Sequence, residues 1–492
     1  MSGKLDEYFP TLRFIPAAWR GIRWLARKTW KASLALLVLL IVAHIALNIY
    51  AGYRLEGELE KIRAAGDPLT QREAAPPKVP DAQNAAVVYE QALKHFGPFP
   101  KFDEKETPEQ RTIRRFIGEF RYDEEPRSTL AEVEPILAKH AEDFRLLRQA
   151  SLMTACSFPV NWDDLANLDL SHLVLMRLAS QYLAAKALVD ARHGRSAAAL
   201  DDFATIVRMA EHVAPEPTLA AQSLRQRSLG FVRRTLPEVL TAAPPSLAQA
   251  RRFSELLRQV NLIDAYVGGL KGERCRYIFI YNFFRQGGPM ILYWARQPEG
   301  TKLTHSLPSR AVNALLKPVY QPFLRLDEIW MLQEMQKQID QAAKGVGPGS
   351  GRRYASESDD SGERWLLFGL ISRSVLTFAS QTMVHRDEAL AEFGLMQIAL
   401  ALRTYRAEHS EYPASLSELS TAGWSLPADP FSGQPFIYRR EGKGYLVYSI
   451  GSDLADSGGL DQKAARRKNL EFSKKGKVYD PTQYDIVFRM PH

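Results

Sequence analysis

Cys156 and Cys275 are the only thiols in this 492-residue chain. Cys156 follows an apolar run, and Cys275 lies between Arg274 and Arg276, a neighbourhood that favours a thiolate. In an oxidising compartment the pair has two readings, one disulfide between helical layers or two free thiols, both ahead of a catalytic cysteine. Asp163-Asp164 and Asp201-Asp202 are paired carboxylates, the raw material of general acid and base chemistry. Acidic pairs near helix N-termini are ordinarily solvated caps, and that is the expectation for both. The ten histidines fall into no ligand pair at helical spacing, and HExxH, GxSxG and Walker patterns are missing. Gly345 to Gly351, GVGPGSG, follows a helix and lacks the P-loop lysine, so it reads as a flexible linker. No catalytic or cofactor-binding residue is therefore assigned. An enzyme of this sequence would be an extracytoplasmic hydrolase with its site assembled from distant residues in the helical body.

The elements that carry these residues begin with a membrane anchor. Lys4, Arg13, Arg20, Arg23, Arg27, Lys28 and Lys31 face only Asp6 and Glu7, so residues 1–31 supply five of the eight net positive charges. The run from Ala32 to Ala51 then carries no charge over 20 residues. At about 1.5 Å per residue it matches the roughly 30 Å of a bilayer core. Trp19, Trp24 and Trp30 before it, with Tyr50 and Tyr53 after it, suit the two interfaces, and the cations keep the N-terminus cytoplasmic. A cleaved signal peptide fits less well, because Ile49-Tyr50-Ala51 is a poor cleavage site. His44 and Asn48 share one helix face; snorkelling to the interface is expected ahead of a bond to another helix.

Residues 52–83 read as a short charged helix closed by Gly66 and Pro68, then the proline-rich spacer AAPPKVPD. Residues 84–344 form the helical body. Thr107-Pro108-Glu109-Gln110 and Ser246-Leu247-Ala248-Gln249 have the capping-box pattern, and breaks fall at His193-Gly194 and Pro215-Glu216-Pro217. The hairpin AAKALVDARHGRSAAALDDFATIVRMAEHV looks like one tetratricopeptide-type unit, but no second copy recurs near a 34-residue period, so an irregular helical domain is expected. Tyr277 to Trp294 reads as a buried core segment ahead of a membrane-surface contact. Residues 345–363 are a linker. Trp365 to Val384 is the one possible second span, but Arg373 near its middle makes a buried amphipathic helix the expectation. The fold class is mainly α: a transmembrane helix, an irregular helical body, and a small α+β module with an antiparallel sheet at 364–492.

That C-terminal module carries the most specific pattern. An amphipathic helix, LMQIALALRTYRAEHSEYP, stops at Tyr412-Pro413 and precedes a capped turn of helix at Ser415-x-x-Glu418. A turn at Asp429-Pro430-Phe431-Ser432-Gly433 leads to strands at Phe436–Arg439 and Tyr445–Ile450, and a last strand follows at Tyr484–Arg489. With its DPFSGQPFIYR and YSIGSD segments, the series resembles the C-terminal module of the type II secretion major pseudopilin. The whole layout, with RLEGELEKIRAAGDPLT after the span and VPDAQNAAVVY before the body, resembles a group of membrane-anchored envelope proteins of planctomycete-type bacteria. A pseudopilin's apolar helix runs directly into this module, whereas here the anchor is more than 300 residues away.

The pseudopilin resemblance implies a calcium loop. Its counterparts here are Asp453, the carbonyl of Ile450 and Asp485, with Asp456 and Asp461 as extras. Calcium takes six to eight oxygens, so these groups must converge. Gln483 replaces one acidic residue of the family pattern, and a basic insertion from Lys463 to Lys477 separates the two halves; the other reading is a hairpin loop whose aspartates make turns. The insertion suits an anionic polymer, lipid headgroups or an acidic protein, with nucleic acid the least fitting partner. The expected protein is noncatalytic, anchored in the inner membrane with an extracytoplasmic body, and acts through protein contacts beside a secretion or envelope-assembly system.

Overall fold

The computed structural model describes residues 15–97, 106–118, 127–163, 168–286, 307–345, 370–461, 464–465 and 484–490. The chain divides into two compact units, Met1–Lys61 with Ile280–Trp330, and Ile62–Phe279 with Met331–His492.

In the first unit, α1 (Ile15–Ala64) runs unbroken through the uncharged stretch. Its most apolar window has a mean hydropathy of 2.5 and none of it is buried. Leu34, Leu36 to Val42, Ile45 and Ile49 stand exposed around the helix, a surface suited to lipid and not to water. Among the described residues α1 is the one helix long and apolar enough to cross a membrane. Of the stretch 365–384, residues 365–369 lie outside the described residues, and 370–384 belong to the helix Leu370–His409.

The same unit corrects the reading of His44 and Asn48 as snorkelling groups. His44 Nε2 donates to the Pro318 carbonyl at 2.7 Å. Arg325 Nη1 donates to the Asn48 carbonyl at 2.8 Å and to its Oδ1 at 3.0 Å. Both partners belong to a later helix, Leu307–Ala343, so the shared face serves an intrachain helix contact.

The second unit follows local signals in the sequence. After the short α2 (Gln71–Ala74), Asn84 caps α3 (Ala85–Leu93), and its side chain also bonds the N–H and carbonyl of Ser157 at 2.9 and 2.8 Å. The capping boxes form at Thr107/Gln110 on α4 (Pro108–Phe116) and at Thr129/Glu132 on α5 (Leu130–Lys139). After α6 (Ala141–Ser151) come α7 (Ser171–Arg192), α8 (Ser196–Val213) and α9 (Leu219–Ala242), then α10 (Leu247–Arg258), capped by Ser246/Gln249. Helix α7 is buried on every face from Leu178 to Val189 apart from Lys186, which explains why its sequence shows so weak an amphipathic pattern. Ala179, Ala184, Ala185 and Ala187 let α8 and α9 approach it closely. Gly66 and Gly194, at φ 74° and 75°, end α1 and α7 with paired return bonds, Asp67 to Ile62 at 3.2 Å and Arg195 to Asp190 at 2.8 Å.

Helices α11 (Leu262–Arg285), α12 (Leu307–Ala343), α13 (Leu370–His409) and α14 (Leu416–Thr421) lead to the sheet. Strands β1 (Ile437–Glu441), β2 (Gly444–Ser449) and β3 (Ile486–Met490) pair antiparallel in the order β1-β2-β3, with Tyr438 opposite Val447 and Val447 opposite Phe488. Strand β2 is buried along its whole length. The helix α13 docks on α9 through Arg233–Glu392 at 2.7 Å and Arg403 on the Leu240 carbonyl at 2.9 Å. Apolar residues from α3 through β3 form one continuous core, so the helical body and the tail sheet are packed as a single unit.

Candidate functional site

The loop after β2 holds the four residues singled out by the sequence. Ile450 stands at its entrance, and Asp485 immediately precedes β3. Asp485 Oδ1 accepts the Ser457 N–H at 3.2 Å and Oδ2 the Gly459 N–H at 2.7 Å, while its own N–H bonds the Leu460 carbonyl at 2.8 Å. Asp456 Oδ1 accepts from the Tyr448 hydroxyl at 3.0 Å and the Gly458 N–H at 2.8 Å. Asp453 Oδ1 accepts from Ala455 N–H within its own turn at 3.2 Å, and Asp461 Oδ1 from Ala464 N–H at 2.7 Å.

The structure thus joins Asp485 to the loop beside Asp456, whereas Asp453 and Asp461 serve separate turns. Burial, and then the Asp456 charge, hold the Asp485 carboxyl above its ordinary range against the pull of its amide donors. Both Asp485 oxygens and Asp456 Oδ1 accept backbone amides of the loop, and among the described residues no three His, Cys, Asp or Glu side chains are grouped to hold a metal ion. The arrangement closes the loop on itself through Asp485 and Asp456. Asp485→Ala should cost about 2 kcal/mol of stability in a chelating buffer, the range for losing bonds to a charged acceptor. A loss seen in calorimetry only when calcium is present would assign the carboxylate to the metal instead. The basic insertion lies outside the described residues, apart from two alanines.

A second constellation escaped the sequence. His95, in the 3-10 turn after α3, bonds Asp143 Oδ1 through Nδ1 at 2.6 Å, and His140 bonds Oδ2 through Nδ1 at 2.8 Å. Asp143 is buried in the first turn of α6, where the helix dipole favours its charge. The His140 ring stacks on Phe96 at 4.6 Å and meets Tyr182 edge-on at 5.1 Å, whereas the His95 side chain is 55% exposed. A carboxylate accepts from both Nδ1–H groups and leaves each Nε2 as an acceptor, which is how an aspartate orients a proton-transfer imidazole. Among the described residues no hydroxyl or thiol bonds either ring. His140-x-x-Asp143 is an i,i+3 pair visible in the sequence; His95 joins it only through folding.

The thiols are chemically quiet. Both cysteines are free. Burial pushes each thiol up to about 12. At Cys275 burial outweighs the pull of Arg274, whose guanidinium is committed to Asp67 at 2.8 Å and Gln336 at 2.7 Å. Near Cys156, His212 Nε2 donates to the Met153 carbonyl at 3.0 Å, leaving Nδ1 to accept the Tyr89 hydroxyl at 2.9 Å, and burial lowers the His212 pKa.

Of the aspartate pairs, Asp202 departs from the expected solvated cap, whereas Asp163 stands exposed. Asp201 pairs with Arg148 at 2.5 Å, but Asp202 is buried, one helical step round α8, and accepts from Lys186 Nζ at 2.9 Å. Asp163 lies 3.3 Å from Arg72, and Asp164 falls outside the described residues. Comparison with known proteins gives no relative to set beside these arrangements: no family model, no curated protein and no solved structure matches the chain.

Proposed function

We propose that this chain is a single-pass protein of the inner (cytoplasmic) membrane, with its N-terminus cytoplasmic and its body extracytoplasmic, that acts through protein contacts beside a secretion or envelope-assembly system. The observation that carries the reading is α1, an apolar helix whose most hydrophobic window holds no buried residue. Trp30, Tyr50 and Tyr53 stand exposed at its two ends, the positions interfacial aromatics occupy. The excess of lysine and arginine before the span favours this orientation.

A contact role is supported by how the body spends its ionisable groups. Lys186, Asp190 and Asp202, Arg225 and Glu211, and Asp143 with its two histidines are committed to one another. The surface between the ends of α7 and α9 holds a hollow of about 310 Å³ lined by Leu188, Arg192, Pro237, Glu238, Thr241 and Ala242, apolar with one charge of each sign, a form that suits a partner's side chains. Strand β3 reaches the same stretch of α9 through Met490 and Thr241. The order of α13, turn, β1, β2, loop and β3 is compatible with a pilin-like tail used for assembly contacts.

A C-terminal fusion to alkaline phosphatase should be active and the matching fusion to a cytoplasm-dependent fluorescent protein dark. The reverse result would return residue His492 to the cytoplasm and overturn the topology.

A further inference from the structure

The contact between α1 and α12 has a depth. His44 lies seven residues before Ala51, so it sits about 10 Å inside the outer end of the uncharged run, and Asn48 about 4.5 Å inside it, at 1.5 Å per residue. The α12 groups that meet them, the Pro318 carbonyl and Arg325, must lie at similar levels.

The chemistry of that contact suits a medium without water. Pro322 has no N–H, so the Pro318 carbonyl four residues earlier has no donor in its own helix. In water such a carbonyl hydrates; in hydrocarbon it must find a protein donor. It accepts from His44 Nε2, and the same imidazole lies 6.3 Å from the Phe323 ring. One turn further on, Arg325 Nη1 is held by the Asn48 carbonyl and side chain. Gly52, on the next turn, leaves the guanidinium room, because a Cβ there would lie 2.9 Å from Nη1.

The remaining face of this segment is apolar and uncovered. Val319 and Phe323, one turn apart, are 58% and 37% exposed. Polar groups collect towards the other end, where the Tyr281 hydroxyl donates to Asp327 Oδ2 at 2.7 Å and Arg285 pairs with Glu328, while within the segment Gln321 Nε2 donates to the Arg285 carbonyl at 3.2 Å. These bonds tie α12 to the end of α11 without leaving Arg285 or Glu328 unpaired.

We infer that the Pro318–Leu324 segment of α12 is embedded in the extracytoplasmic leaflet beside α1, with Pro318, Val319 and Phe323 against lipid acyl chains. This rests on the reading of α1 as a membrane span. The protein then holds the bilayer at two places, the full crossing and the α12 segment beside it, whose freed carbonyl is satisfied by the crossing helix. Burial of apolar surface supplies the attraction, and the His44 bond fixes the depth.

The test uses the full-length protein in vesicles of phosphatidylethanolamine and phosphatidylglycerol. The native thiols are held protonated by burial and resist alkylation, so a single introduced cysteine takes an environment-sensitive fluorophore. Labels are placed by Val319→Cys, Phe323→Cys, Leu37→Cys in mid-span and Lys61→Cys on the exposed continuation of α1. With nitroxide-bearing lipids, labels at 319, 323 and 37 should emit at shorter wavelength and lose most of their emission, while the label at 61 is quenched by aqueous iodide. Labels at 319 and 323 that follow 61 while 37 follows the lipid would overturn the embedding of α12 and leave the anchor. A label at 37 that is open to iodide would overturn the anchor and the embedding with it.

Discussion

Lys186→Met will destabilise the helical body by about 3 kcal/mol at pH 8 and by less at pH 5. Lys186 Nζ on α7 donates to Asp190 Oδ2 at 2.8 Å and to Asp202 Oδ2 on α8 at 2.9 Å, so one ammonium joins the arms of the hairpin. Methionine keeps the packed stem and removes the charge. Asp190 retains Arg195 on its other oxygen at 2.6 Å, but Asp202 is left buried without its cation. Removing one member of a buried ion pair costs about 3–5 kcal/mol, and the lower end applies because the Lys186 side chain is 30% exposed.

The pH dependence follows from Asp202. Burial pushes its carboxyl from the ordinary 3.8 up to about 7, with Lys186 pulling it back. The folded state therefore holds this proton longer than the unfolded chain does, so its contribution to stability is full at acid pH and is lost as pH rises from about 4 to 7. Without Lys186 the carboxyl rises further, and the extra loss appears above neutrality. Asp190 is lowered, so its contribution fades only as pH falls below the ordinary carboxylate range, outside this window. Urea unfolding at the two pH values should show the difference, and adding Asp202→Asn should recover most of it. Equal losses below about 0.5 kcal/mol at both pH values, no more than a typical surface change, would remove the ion cluster from the stability of the hairpin.

Gly272→Ala should cost about 3 kcal/mol or more, at the upper end for an overpacked interior. A Cβ at this position on α11 would lie 1.8 Å from the Pro217 carbonyl oxygen and 2.6 Å from its carbon. Both are backbone atoms of the turn between α8 and α9, so no flexible side chain can swing aside and the helix must withdraw. That turn carries Glu216, bonded to His172 Nε2 at 2.7 Å, and Thr218, the N-cap of α9; the neighbouring Glu273 accepts the Leu219 N–H at 3.3 Å. Withdrawal disturbs all three bonds. Gly230→Ala on α9 is the matched control, with open space around its Cβ and an expected gain of up to about 1 kcal/mol from helix propensity. Equal melting temperatures for the two variants would show that the turn yields at little cost.

What the sequence displays openly is local. The boxes at Thr107, Ser246 and Ser415 form because capping needs only residues three apart, and the strands at 437–441 and 444–449 fall between the turns that flank them. The expectation for Asp201-Asp202 failed because adjacent residues on a helix point about 100° apart, so one reaches solvent and the other the core. Arg274 flanks Cys275 and pulls on its thiol, but burial outweighs that pull, and the thiol donates to the Pro68 carbonyl at 3.2 Å. His95 and Asp143 are 48 positions apart, and the partner of His44 is 274 positions away. No spacing rule connects such pairs, because their meeting is decided by how whole helices pack.

The two unbonded thiols bear on how the protein is made. Its stability is carried by apolar packing and buried ion pairs, with no covalent bridge to close. Maturation of the body therefore needs no thiol oxidase or disulfide isomerase, and the finished protein should melt alike with and without reductant. Because burial keeps both sulfurs protonated to about pH 12, oxidants that attack thiolates find little to attack. The body is built to be indifferent to the redox state of whichever compartment it occupies.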